Sequence, residues 1–215
     1  MLIIGIAGPK QHGKSTLANL IENAPYERTQ RTFGRVGVEL FAGPLKRMVR
    51  RLLGEIPGVD SSIALQCVDG WMKEVPLPVI SREGSPITTR MLLQYMGSEG
   101  ARAIAPDFWV RMFASRMDKL AAVHDTLIIP DVRFVEEADF IRQNGGIIVR
   151  VIDPRKLPDP ASEEDTGEGS AVHVSERGLP DWFVDIELVN DADKAALLQQ
   201  FLREFKRIKE DKADV

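Results

Sequence analysis

Gly8, Gly13, Lys14 and Ser15 stand in the order G-x-x-x-x-G-K-S within GPKQHGKST, residues 8–16. That spacing suits the gripping of a polyphosphate. Glycines let the backbone turn tightly and approach the phosphates. Successive N–H groups facing inward form an anion nest. A helix starting near Lys14 adds its positive dipole end. Lys14 would place a cation on the outer phosphates, and the Ser15 hydroxyl would reach Mg²⁺. Thr16 completes the stretch. His12 is expected to be a solvent-facing filler.

The pattern implies a nucleoside triphosphate but not a reaction. The guanine-reading Asn-Lys-x-Asp motif is missing, since Asn190-Asp191-Ala192-Asp193 has no lysine. The apolar run Leu127-Ile128-Ile129-Pro130 ends in a single Asp131, where motor and transporter ATPases usually end a longer strand in Asp-Glu. Asp131 would sit beside the loop and hold Mg²⁺ through water. A small kinase fits better, because phosphoryl transfer is mostly positioning and charge neutralisation. The candidate cations are Lys46, Arg90, Arg133, Arg150, Arg155 and Arg177. Lys46 and Arg133 follow strand ends, where doubly wound sheets place ligands. Arg47, Arg50, Arg51, Arg111, Arg116 and Arg142 read as solvated helix faces. Trp71 and Trp109 could stack on a base, but core packing is the expected role of either.

These side chains need a frame. Leu2–Ala7 reads as a buried parallel strand. A helix over 15–23 follows, then a strand over 36–41 and a helix over 45–53 behind Pro44. Residues 55–87, rich in proline and glycine, read as a loop-rich insertion. Helical blocks are expected over 88–104 and 108–123, the second capped by Asp107. Strands are expected over 126–130, 147–152 and 184–189. Helices are expected over 134–143 and 193–209, with a fraying tail. The stretch 153–180 reads as a mobile loop. Strands alternating with helices imply an α/β fold, with a parallel sheet covered on both faces.

Beyond the loop, separated blocks resemble the deoxynucleoside monophosphate kinases of tailed bacteriophages. They are FAGPLKRMV at 41–49, TRMLLQYMGSEGAR at 89–102 with DFWV at 107–110, IPDVRFVEEADFIRQNGG at 129–146, HVSE at 173–176 and IELVND at 186–191. The resemblance implies a P-loop NTPase fold with about five parallel strands. It implies one domain over 1–215, with an acceptor-binding insertion at about 44–123 and a lid at about 153–180. The implied reaction moves the γ-phosphate of ATP, with Mg²⁺, to a deoxynucleoside 5′-monophosphate.

By the same resemblance, Gly8, Gly13, Lys14, Ser15 and Thr16 hold ATP, and Lys14, Asp131 and Arg133 act at the transfer. Ser15 and Asp131 hold the metal. Lys46, Arg90, Gln94, Trp71 and Arg133 serve the acceptor. Arg90 and Gln94, four apart, share a helix face; the alternative buries Met91, Leu92 and Tyr95 and leaves that pair outside. His173, Ser175 and Glu176 fall in the lid. The chain departs from the pattern at Gly97-Ser98-Glu99, at Pro130 and in the acidic stretch 161–168. Two other readings stay open. One is another small-molecule P-loop kinase, acting on dephospho-coenzyme A or a nucleoside. The other is a non-catalytic, nucleotide-dependent protein of phage DNA metabolism or packaging.

Composition sets bounds on all of these. The chain has 215 residues, 44% of them hydrophobic, enough for a sizeable core. A net charge of −4 gives no case for direct nucleic-acid binding. The single cysteine, Cys67, excludes an internal disulfide and reads as a small buried apolar residue. No apolar run reaches the length of a membrane span. The N-terminus reads as a strand and not a signal peptide, so a cytoplasmic enzyme with small-molecule partners is expected. A homodimer is left open.

Overall fold

Leu2–Ala7 forms β1, and all but its first residue are buried. In the computed structural model, which describes residues 1–24, 30–80, 84–156 and 178–213, this strand leads into α1 (Lys14–Glu22), a single turn α2 (Gln30–Phe33) and β2 (Val36–Val38). Next come α3 (Gly43–Leu53), α4 (Ser61–Asp69), a 3₁₀ turn (Trp71–Glu74), β3 (Pro76–Ile80) and β4 (Pro86–Thr88). Then follow α5 (Thr89–Gln94), a π-helical stretch (Tyr95–Arg102), α6 (Phe108–Ala114) and α7 (Met117–Val123). The chain closes with β5 (Thr126–Ile129), α8 (Val135–Gln143), β6 (Ile147–Ile152), β7 (Ile186–Val189) and α9 (Lys194–Ala213). It divides into two units, Met1–Leu40 with Arg116–Val215, and Phe41–Ser115.

The first unit holds a five-stranded sheet in the order β2-β5-β1-β6-β7. Every pairing is parallel, with Ile4 opposite both Ile128 and Ile147, Val38 opposite Ile128, and Val151 opposite Leu188. The α/β fold with a parallel sheet is thus observed. Strands buried on both faces read as near-continuous apolar runs, and all four residues of β5 are buried. On one face Leu17, Ala18 and Ile21 of α1 meet Leu197, Leu198, Phe201 and Phe205 of α9 over Ile4, Ile6, Val149 and Leu188. α8 lies against β1 and β6. β1 is central, and the chain leaves it for β2 on one side before placing β6 and β7 on the other. The carboxyl end of β1 is therefore a topological switch point, where open α/β sheets bind ligands.

The second unit packs Leu45, Val49 and Leu53, four apart along α3, against Ala64, Cys67 and Val68 of α4, with Leu77 and Trp109. Burying each large aliphatic side chain there contributes about 1.5–3 kcal/mol. Cys67 is buried and free of a disulfide, as its type suggests. The Trp109 Nε1 donates to the Gly97 carbonyl at 2.9 Å, inside the π-helical stretch.

Several expectations fail. Residues 55–87 hold α4 and the antiparallel β3–β4 hairpin, not loop alone. Asp60 starts α4, its Oδ1 accepting from the Ile63 N–H at 2.8 Å. The helix expected over 108–123 breaks in two at Ser115, whose hydroxyl donates to the Met112 carbonyl at 2.9 Å. Asp107 does stand at the N-cap of α6, but its side chain makes no cap bond; its carboxylate accepts from Arg111 Nε at 2.7 Å instead. The tail expected to fray continues α9 to Ala213, with Lys206 and Glu210 paired at 3.6 Å.

Candidate functional site

The chain leaves β1 through Gly8 and enters α1 through Gly13, and both residues have positive φ, 134° and 107°. A Cβ on Gly8 would stand 2.3 Å from the Val151 carbonyl oxygen, and one on Gly13 would stand 2.4 Å from the Asn190 side-chain nitrogen. Only glycine fits at either place. The start of α1 has no side-chain cap and no acidic residue in its first turn. Its N–H groups and dipole end are left for an anion. Ser15 is exposed on that first turn, and Thr16 is half-buried.

Lys14 turns back over the loop. Its Nζ donates to the carbonyls of Gly8 at 2.7 Å and Pro9 at 2.5 Å. Burial first, then the Arg133 guanidinium, push its pKa down to about 8, against the pull of Asp131. Lys14 therefore feels both Arg133 and Asp131 at the sheet's carboxyl edge. Glu137 fixes the segment bearing Arg133: its Oε2 accepts from the N–H groups of Arg133 at 2.8 Å and Phe134 at 3.1 Å. That carboxylate also starts α8, since it fills the N3 position of the helix. Arg133 is exposed and Asp131 half-buried.

The sequence misplaces His12. It is buried, and its Nδ1 accepts from the Asp153 N–H at 2.9 Å. Asn190 Nδ2 donates to the His12 carbonyl at 3.0 Å, and Lys156 Nζ to the Gln11 carbonyl at 2.5 Å. Neither Asp153 nor Asn190 was legible as a loop contact, because each lies far along the chain at a strand end. Glu39, also unremarked in the sequence, follows β2 at the same edge and pairs with Arg116 at 3.0 Å.

In the second unit Lys46, on α3, pairs with Asp69 at 2.8 Å, and Arg50 pairs with the other oxygen of that carboxylate at 2.9 Å. Arg50 is thus more than a solvated face. Arg90, on α5, pairs with Glu74. Gln94 ends α5 and is half-buried. α5 lies against the turn that carries Trp71 and Glu74, and against α3. Trp71 is 76% exposed, so it does not pack in the core as expected. Trp109 does. Met91 and Tyr95, at 47% and 63%, are exposed rather than core residues.

Two further arginines serve structure. Arg150 pairs with Asp181 at 2.5 Å and donates to the Leu179 carbonyl at 2.5 Å. Arg155 grips Asp153 through Nε at 2.8 Å and Nη2 at 3.0 Å. That grip, then Lys156, holds the Asp153 carboxyl well below the usual carboxylate range despite its burial. Arg177, His173, Ser175, Glu176 and most of the expected lid lie outside the described residues. Among the described residues no cluster of three His, Cys, Asp or Glu could hold a metal, and no helix is long and apolar enough to cross a membrane.

A glycine-framed loop between a central parallel strand and an uncapped helix start is the arrangement of the P-loop nucleotide-binding proteins. The deoxynucleotide monophosphate kinase family pattern matches residues 68–201, more than half of the chain. The chain belongs to that family. It is an enzyme, a phosphotransferase of the nucleotide kinase kind, and a kinase of this family uses ATP. A protein of Acanthamoeba polyphaga mimivirus, provisionally named a deoxynucleotide monophosphate kinase, is 26% identical over 166 residues, covering 72% of this chain and 75% of that one. A gluconokinase structure from Sinorhizobium meliloti is 13% identical, with a TM-score of 0.45 over 99% of this chain and 95% of that one.

Proposed function

We propose that the enzyme transfers the γ-phosphate of ATP to a deoxynucleoside 5′-monophosphate, giving the diphosphate. The observation that carries this reading is the uncapped, acid-free start of α1 behind Gly13, with Lys14 coupled to Asp131 and Arg133. The loop N–H groups and Lys14 take the triphosphate. Ser15 and Asp131 offer oxygen donors of the kind Mg²⁺ prefers, the nucleotide's own oxygens and water completing its shell. The metal would neutralise charge on the transferring group. Arg133 would do the same from the protein side. No side-chain nucleophile is required, because a phosphate oxygen of the acceptor attacks directly.

A cavity of about 500 Å³ is lined by Asn190, Asp191, Ala192, Gln200 and Arg203 among others. Asn190 also touches the loop, so this cavity is assigned to the nucleoside part of the donor. Lys46, Arg90, Gln94 and Trp71, carried by the second unit, are assigned to the acceptor. The acceptor-binding insertion of a single kinase domain, at about 44–123, would take in most of that unit, Phe41–Ser115. The blocks shared with tailed-phage enzymes favour a virus-encoded origin.

The test is a panel of acceptors with labelled ATP: dGMP, dTMP, dCMP, dAMP, deoxynucleosides and dephospho-coenzyme A. Label should move to one or more monophosphates. Transfer only to an acceptor lacking a phosphate, or ATP binding with no transfer, overturns the reading.

A further inference from the structure

The loop between Gly8 and Gly13 is strained and makes little structure of its own. Gln11 sits at φ 66°, a left-handed conformation that side chains other than glycine rarely adopt. The hydrogen bond within it, from the His12 N–H to the Pro9 carbonyl, is long at 3.5 Å. Its shape is imposed from the ends of two strands. After β6, Asp153 donates its main-chain N–H to His12 Nδ1. After β7, Asn190 donates from Nδ2 to the His12 carbonyl.

The supports are themselves fixed. The Asn190 N–H donates to the Ile152 carbonyl at 2.7 Å, and its carbonyl accepts from Arg155 at 2.9 Å. Asp153 is 1% exposed and bound by Arg155 and Lys156. A peptide unit is planar and trans, so its C=O and N–H point opposite ways. Holding the His12 carbonyl outward on Asn190 turns the Gly13 N–H the other way. Holding the Gln11 carbonyl on Lys156 turns the His12 N–H back into the loop, toward the Pro9 carbonyl.

We propose that His12 and Asn190 are positioning residues that hold the phosphate loop in its anion-ready shape before the nucleotide arrives. The proposal rests on the reading that this loop binds polyphosphate. Its chemistry is specific. The Asp153 N–H can only donate, so Nδ1 must be bare and the ring must carry its proton on Nε2. The charged groups facing the ring are Lys14 from α1, with Asp153 and Lys156 from the segment after β6. Asn190, from the end of β7, is uncharged. Burial and the Lys14 ammonium favour the neutral ring. Protonation at Nδ1 would set N–H against N–H and release the loop.

The test combines ATP titration, steady-state kinetics and ¹⁵N NMR of the full chain. His12→Ala and Asn190→Ala should raise the ATP dissociation constant and KM about 10- to 100-fold, with acceptor KM little changed. His12→Asn, whose side-chain oxygen can take the place of Nδ1, should restore most of the affinity. Burial and Lys14 hold the His12 pKa below the ordinary histidine value, so wild-type affinity should fall only on the acid side of that value, in step with His12 titration, and the fall should be missing in His12→Asn. The NMR spectrum of the free wild type should show the Nε2–H tautomer, a readout that survives if a variant fails to fold. Variants that bind ATP as the wild type does, or a ring protonated at Nδ1 at neutral pH, overturn the positioning role alone. A wild type that binds no ATP overturns the polyphosphate reading as well, while the tautomer still reports on the brace.

Discussion

The Nζ of Lys14 lies 2.7 Å from the carbonyl oxygen of Gly8, so the ammonium rests on the loop that holds it. Two neutral carbonyls are weak partners for a partly buried charge. A polyphosphate is a much better one, and its arrival would draw the side chain from the carbonyls to the phosphates. Lys14→Ala should lower kcat by about 10²- to 10⁴-fold. The melting temperature should hardly change, because the bonds lost are local. Lys14→Arg should not rescue turnover, since a planar fork does not replace a compact ammonium. Retained turnover in Lys14→Ala removes the role assigned to this lysine.

The same contact predicts a proton. Burial and Arg133 bring the Lys14 pKa down to about 8 in the empty loop. A bound polyphosphate favours the charged form and raises it. Binding must then take up protons at and above pH 8, approaching about half a proton per site near pH 8 and little near pH 6.5. Calorimetry without divalent cation, in buffers of differing ionisation enthalpy, measures this directly. Lys14→Met should abolish the uptake.

Acceptor binding separates from donor binding by residue. Lys46 and Arg50 share the Asp69 carboxylate, and Arg90 holds Glu74. An incoming phosphate offers these cations a stronger, charge-assisted partner. Arg90→Ala and Lys46→Ala should raise the acceptor KM about 10- to 100-fold and leave the ATP KM within about twofold. Equal movement of both KM values would show that the two side chains do not belong to the acceptor.

The parallel sheet was legible because its strands are short apolar runs with clear ends. β1 and β6 fall where the pattern puts them, and Asn144 and Gly145 end α8 as a helix stop should. α4 and the hairpin were hidden by prolines on either side. Pro76, Pro78 and Pro86 argue against a central strand, but each strand of a two-stranded ribbon has a free edge that tolerates them. The local mark of α4 is Asp60, whose side chain caps the Ile63 N–H. The break between α6 and α7 leaves no mark in hydrophobic period. Within the site, loop, lysine and strand-end pair could be named from local spacing. His12 could not, because its partners Asp153 and Asn190 come from distant parts of the chain and meet it only once β6 and β7 are in place.

Acid should loosen the start of the β2–β5 pair. The Asp125 carboxylate accepts from the Arg35 N–H at 2.8 Å and from its Nε at 3.0 Å. The Arg35 side chain first, then its main chain, pull the Asp125 pKa down to about 2. A depressed carboxylate stabilises the fold above its unfolded pKa, and that contribution is lost as pH falls through the folded value. The loss therefore falls between about pH 4 and pH 2. Both side chains are more than half exposed, at 60% and 51%, so solvent screens the pair and the effect is modest. Asp125→Asn should show a shallower decline of melting temperature over that range than the wild type.

Phe201 offers the largest stability signal. It is fully buried, with its ring centroid 5.9 Å from Phe33 and 5.7 Å from Phe205. Those contacts join α9 to the turn before β2 over the sheet face that also carries Ile4 and Leu188. Phe201→Ala removes the ring and leaves a cavity that packed neighbours fill only in part, a cost of about 3–5 kcal/mol. Phe201→Leu keeps most of the volume and should cost less. Trp182, 73% exposed, is the control: Trp182→Ala should change stability by less than about 0.5 kcal/mol. Urea unfolding followed by circular dichroism ranks the three. If Phe201→Ala and Trp182→Ala have the same midpoint, α9 is not held to the sheet by this cluster.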